Sequence, residues 1–184
     1  MLRTVPQMRD ARLAYRLASI GAFTLLTIIS ARITIPMQPV PFTLQNLAVL
    51  LAGLILGSRD GALSQLLYLA LIAVGLPVDA KGIGAAALVS PTAGYLFGFV
   101  GAAFVAGFLV ERGASRMGQR WLAGIAGTAV IYLFGAVVLK AVTGMAWDAA
   151  WTAGVAPFIV LDLTKAVIAA ALAEGGRALL LRQR

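Results

Sequence analysis

Apolar residues run along this chain in long blocks, and the polar residues gather between them. Six blocks are long enough for helices: Leu13–Ile35, Thr43–Gly57, Gly61–Leu76, Pro91–Val110, Trp121–Val142 and Gly154–Leu172. Unbroken apolar runs without period-two alternation are the pattern of helices surrounded by apolar material on every side. The second and third blocks would each be about 23 Å long at the helical rise, so they read as a tight hairpin joined at Ser58-Arg59-Asp60 rather than as two ordinary spans. The stretch from Pro77 to Ser90, Gly- and Ala-rich with Asp79 and Lys81, is too broken for a span and too apolar for a free linker. The pattern predicts an all-α, polytopic membrane protein of six transmembrane helices. A single integral-membrane domain over residues 1–184 accounts for the whole chain, leaving no room for a soluble catalytic or nucleotide-binding domain.

Composition agrees with the pattern. With 61% hydrophobic residues, 12% charged residues and a mean hydropathy of +0.94, the chain lies far outside the soluble globular range. Neither Cys nor His occurs, which removes thiol nucleophiles, disulfides, imidazole bases and the commonest metal ligands. The net charge of +8 would suit nucleic acid, but its distribution argues otherwise. With the N-terminus in the cytoplasm, eleven of the fifteen basic residues fall on the cytoplasmic side. They are Arg3, Arg9, Arg12 and Arg16, then Arg59, then Arg112, Arg116 and Arg120, and finally Arg177, Arg182 and Arg184. The outer side keeps Arg32, Lys81 and Lys140, and Lys165 lies inside the sixth block. This alternation places both termini in the cytoplasm. The positive charge is then an orientation signal and a contact with the lipid bilayer, with no nucleic-acid partner. Trp121 at the inner boundary, and Trp147 and Trp151 near the outer one, fit an aromatic belt.

Candidate chemistry concentrates in the last block, where Asp162 and Lys165 stand three residues apart and therefore on one helical face. A charge at the centre of a bilayer costs roughly 2.5–3.5 kcal/mol even on insertion scales, so both must face protein or a wet cavity. A structural ion pair and a polar ligand site remain as alternatives. The turn Pro36–Pro41 excludes helix by its three prolines, after which Thr43, Gln45 and Asn46 open an apolar helix. Thr43 is there either as an N-cap or as a ligand group, and the two amides either satisfy loop backbone or read a neutral polar ligand from above. Around Pro91, the small residues Ala93, Gly94 and Gly98 allow close helix approach. Tyr95 adds a ring and one hydroxyl, for packing or for a ligand. In the first block Ala14, Ala18 and Ala22 form a smooth strip that either packs within this domain or docks a partner helix. No Gly-rich phosphate loop, acidic two-metal cluster, Arg-rich voltage-sensing helix or pair of inverted repeats is apparent.

In this order and spacing, several segments resemble the BioY family, the biotin-capturing S components of energy-coupling-factor (ECF) transporters. They are Val40-Pro41-Phe42-Thr43-Leu44-Gln45-Asn46-Leu47 through Gly53 with Leu56-Gly57, then Gly75-Leu76-Pro77-Val78. Ser90-Pro91-Thr92-Ala93-Gly94-Tyr95-Leu96-Phe97-Gly98-Phe99 follows, and then Pro157-Phe158 through Asp162 and Lys165. The resemblance implies a transport component of the bacterial inner membrane rather than an enzyme, with a cavity near the outer side and no cofactor. The implied ligand is biotin, and the implied partners are a transmembrane coupling protein and two cytoplasmic ATPases. A homodimer is left open. It maps the partner strip onto Ala14, Ala18 and Ala22, and the biotin site onto Asp162 and Lys165. On that basis Asp162 accepts from the ureido N–H groups and Lys165 keeps it ionised, while Thr43, Gln45, Asn46, Tyr95 and Lys81 close the site. The loop Asp79-Ala80-Lys81-Gly82-Ile83-Gly84 departs from the aromatic, Gly-rich run usual there. Two alternatives remain: an S component for thiamine or riboflavin, and a small membrane enzyme built on Asp162 and Lys165.

Overall fold

The computed structural model describes residues 6–113 and 116–182, with side chains over 12–113 and 116–175. Arg3 and Arg184 of the charge pattern lie outside the described residues, as do the side chains of Arg9, Arg177 and Arg182. The described chain is mostly helical: α1 (Pro6–Arg32), α2 (Gln45–Leu56), α3 (Ser58–Ala73), α4 (Ala93–Glu111), α5 (Met117–Thr143), α6 (Trp147–Gly154) and α7 (Ile159–Arg182). Among the described residues, four stretches are long and apolar enough to cross a membrane: Arg12–Arg32, Ala93–Glu111, Met117–Thr143 and Trp147–Gly175. This is a multi-pass membrane protein. The helices α2 and α3 are shorter, with 12 and 16 residues.

The boundaries depart from the hydropathy blocks where backbone chemistry intervenes. α1 stops at Arg32, and the all-α expectation gains a small exception just beyond it. Thr34–Ile35 (β1) and Phe42–Thr43 (β2) form a two-residue antiparallel ribbon, with Thr34 opposite Thr43 and Ile35 opposite Phe42. The prolines between them cannot continue a helix, so the flanking backbone groups pair with each other. α2 consequently opens at Gln45, two residues later than expected, with Leu44 rather than Thr43 in the cap position. The expected Ser58-Arg59-Asp60 loop is instead the first turn of α3, because the reversal is made by Gly57 alone at φ 85°. Glu111 at the end of α4 fastens that reversal, accepting from Ser58 N–H at 2.7 Å and from Ser58 Oγ at 2.8 Å.

α4 lies at the centre, against α5, α3 and α2, while α7 packs on α2 and α5. Close approach is made by small residues: a Cβ on Gly94 would collide with the Phe134 carbonyl of α5, and one on Gly53 with the Ala103 carbonyl of α4. The apolar pattern leaves Trp147–Gly154 mostly in a connection, and the structure instead forms α6 there. Its two tryptophans share one exposed face, and Lys140 Nζ stands 5.3 Å above the Trp147 ring. Pro157, which has no N–H to donate, then makes a 3₁₀ turn at Ala156–Phe158 and delays the last helix to Ile159.

α1 buries the hydroxyls of Thr24 and Thr27. Thr24 Oγ1 donates to the Ser64 carbonyl at 2.9 Å, and Gln65 Nε2 donates to Thr27 Oγ1 at 3.2 Å. Ala14, Ala18 and Ala22 are exposed, so the strip does not pack within this chain.

Candidate functional site

The proline turn, α2, α5 and α7 converge on the floor of a cleft enclosing about 610 Å³ with its open mouth included, a size typical of small-ligand sites. Asp162 and Lys165, in the first two turns of α7, are 2% and 5% exposed. Lys165 Nζ donates to Asp162 Oδ1 at 2.6 Å and to the Thr43 carbonyl at 2.7 Å, and it stands 3.9 Å above the Phe42 ring. The second carboxylate oxygen, Asp162 Oδ2, accepts from Asn46 Nδ2 at 2.8 Å and from the Tyr132 hydroxyl at 2.7 Å. A buried pair is tolerable when its remaining protons and lone pairs are also satisfied. A carboxylate has about four acceptor positions. Three are filled here, and the open one belongs to Oδ1.

Above this polar floor the wall is apolar, with Val40, Leu96, Phe99 and Phe158 facing the cleft. A second polar element stands at its edge. Asp79 is buried and closes a turn by accepting the Lys81 N–H at 2.9 Å and the Gly84 N–H at 2.8 Å. That turn presents Lys81, whose exposed ammonium has no carboxylate partner among the described residues. The loop is also fastened where it begins. Arg32 donates to the Pro77 carbonyl, and the Tyr68 hydroxyl donates to the Val78 carbonyl at 3.3 Å.

All seven predicted binding residues, Thr43, Gln45, Asn46, Lys81, Tyr95, Asp162 and Lys165, line the cleft, but their polar atoms are not equally available. Gln45 Nε2 is spent on the Tyr68 hydroxyl at 2.7 Å, and its Oε1 accepts from Thr43 Oγ1 at 3.3 Å. The Tyr95 hydroxyl donates to the Gly154 carbonyl at 2.8 Å, which leaves its ring for the cleft. Asn46, by contrast, has a side-chain carbonyl with no hydrogen-bond partner among the described residues. Tyr132, Phe42 and Phe158 were not foreseen as lining residues. Tyr132 had a readable signal. A lone phenol in the middle of an apolar span must find a partner for its hydroxyl.

The floor thus offers two open acceptors, one on Asp162 and one on Asn46, with the remaining ammonium proton of Lys165 beside them. The middle is apolar and the edge is cationic. An elongated ligand with a neutral N–H-bearing head and an anionic tail matches that order of surfaces.

A family model described as the BioY family matches residues 5–182. The biotin transporter BioY of Thermotoga maritima is 44% identical over 160 residues, covering 86% of this chain and 93% of that protein. The probable biotin transporter BioY of Pyrococcus horikoshii is 40% identical over 162 residues, 88% of this chain and 95% of its own length. Among solved structures, the crystal structure of the S-component for biotin from an ECF-type ABC transporter superposes with a TM-score of 0.84. That match covers 96% of this chain and 95% of the other at 25% identity.

Proposed function

This chain belongs to the BioY family, and from that premise we propose that it captures biotin and serves as the biotin S component of an ECF transporter. It is a transport component, not an enzyme, and biotin is its ligand rather than a cofactor. The observation that carries the proposal is the buried carboxylate lining the cleft, with one of its roughly four acceptor positions unfilled among the described residues. Biotin has the matching parts: a ureido ring with two N–H donors and one carbonyl, an apolar thiophane and chain, and a terminal carboxylate. One ureido N–H donates to Asp162 Oδ1 and the other to Asn46 Oδ1, while the remaining Lys165 proton serves the ureido carbonyl. Thr43, Gln45 and Tyr95 supply wall and support. Lys81 receives the carboxylate. Charge-assisted hydrogen bonds contribute roughly 1.5–3 kcal/mol each. Two or three of them, with burial of the apolar atoms, account for a nanomolar Kd, about −12 kcal/mol.

The same proposal sets the chain in the bacterial cytoplasmic membrane as one domain of six spans, the α2–α3 hairpin supplying two. Both termini are cytoplasmic and the cleft opens outward, as the distribution of basic residues supports. The energy comes from a transmembrane coupling protein and two cytoplasmic ATPases docked along Ala14, Ala18 and Ala22. A homodimer is the other assembly to test by size in detergent. The experiment on capture is isothermal titration of the purified protein with biotin, using thiamine and riboflavin as controls. Nanomolar biotin binding with silent controls is expected. A folded protein that ignores biotin overturns the proposal.

A further inference from the structure

We infer that Tyr132 is a specificity-determining positioning residue. By filling the second acceptor position of Asp162 Oδ2, it limits the buried carboxylate to a single-acceptor surface that selects a neutral cyclic urea over a cationic guanidinium. The inference rests on the biotin-binding proposal and deepens it. Two donors from different helices converge on one oxygen, Asn46 Nδ2 of α2 at 2.8 Å and the Tyr132 hydroxyl of α5 at 2.7 Å. Lys165 takes one position on the other oxygen at 2.6 Å. A guanidinium or amidinium binds a carboxylate best as a fork, with two parallel N–H bonds to its two oxygens. Here one of those oxygens is saturated, so the fork cannot form. A urea needs only one acceptor from the carboxylate, because its second N–H finds the unpartnered carbonyl of Asn46. Tyr132 lines the cleft and its hydroxyl is held on Asp162 Oδ2, so the hydroxyl sets the acceptor pattern that the carboxylate offers.

The test is titration of wild type and Tyr132→Phe with biotin and with 2-iminobiotin, its guanidinium counterpart, at a pH where the latter is protonated. Removing the hydroxyl leaves an open acceptor on each carboxylate oxygen, and a charge-assisted fork then exceeds a neutral pair. Wild type should prefer biotin strongly. In Tyr132→Phe the ratio of the two Kd values should fall by roughly tenfold. Tyr132→Leu also removes the hydroxyl from Asp162 Oδ2 with a different side-chain shape and should shift the ratio in the same direction, which keeps the test open if Tyr132→Phe does not fold. Tyr95→Phe is the control: its hydroxyl bonds the Gly154 carbonyl and not the carboxylate, so the ratio should not move. Equal loss of affinity for both ligands in Tyr132→Phe would make the tyrosine a merely structural support and overturn the inference alone. A wild type that binds neither compound would overturn the biotin proposal, and this inference with it.

Discussion

Asp162→Asn separates the two roles that a buried acid–base pair can have. The substitution keeps the shape of the side chain and removes its charge, leaving the Lys165 ammonium, 5% exposed, without a counter-ion. Breaking a buried pair from one side costs about 3–5 kcal/mol, a large part of an ordinary domain stability of about 5–15 kcal/mol. The amide also fits its neighbours badly. Asn46 Nδ2, the Tyr132 hydroxyl and Lys165 Nζ all donate to the carboxylate, and an amide has one oxygen to offer them. Its NH₂ group must then face another donor. On the binding side, one charge-assisted bond of roughly 1.5–3 kcal/mol is lost, a 10- to 150-fold weaker Kd. Titration calorimetry and thermal unfolding in one detergent read both effects. The double variant Asp162→Asn/Lys165→Met divides them, because removing the unpaired ammonium should restore much of the melting temperature while biotin binding stays at least as weak as in Asp162→Asn. A folded Asp162→Asn protein with wild-type affinity would refute the reasoning, and the pair would then be a structural bridge.

Other substitutions probe the remaining surfaces. Lys81→Ala should weaken biotin by roughly tenfold, as loss of one charge-assisted bond does, yet leave biotin methyl ester unchanged; equal loss for both ligands would remove Lys81 from the carboxylate. Ala18→Trp should keep biotin binding and abolish uptake in cells that supply the coupling protein and ATPases; loss of binding would mean that the exposed strip supports this fold. Gly94→Ala drives a methyl group into the Phe134 carbonyl and the Val138 side chain of α5. Overpacking of this kind costs about 1–3 kcal/mol, and an unchanged unfolding temperature would show that the α4–α5 seam yields easily.

Hydropathy carried the helices because lipid and helix interior impose the same apolar requirement along a whole segment. The breaks were harder to read where one residue makes them. Gly57 reverses the chain alone, and nothing in its neighbours marks it apart from many other glycines. Pro157 lies inside the block Gly154–Leu172 and breaks it, and the eight residues of α6 before it, with Asp148 and Thr152 among them, fall mostly between the apolar blocks. At the site, the acid–base pair was legible because charge is conspicuous among apolar residues. Its partners were less so. Tyr132 lies 30 positions from Asp162 and Asn46 lies 116 away, and only tertiary packing brings them to one oxygen. The same packing withdrew Gln45 and the Tyr95 hydroxyl from the ligand space by giving them protein partners.

That difference in satisfaction separates ligand groups from structural ones. The cluster of Thr27, Ser64 and Gln65 between α1 and α3 is as buried as Asp162, yet its donors and acceptors meet one another away from the cleft. The link from Gln45 through Tyr68 to Val78 likewise closes on a backbone carbonyl and holds the loop. Around Asp162 the accounting stops short, with one position open on its carboxylate and another on the Asn46 amide beside it. An unsatisfied buried acceptor costs stability unless something fills it. Two such acceptors lining one cleft, beside an ammonium with a proton to spare, form a surface completed by a ligand with paired N–H donors flanking a carbonyl. A buried ion pair alone is weak support for stability; on the proposed reading, the donors from α2 and α5 make it a preorganised receptor, and the cost of ordering it is met in folding rather than in binding.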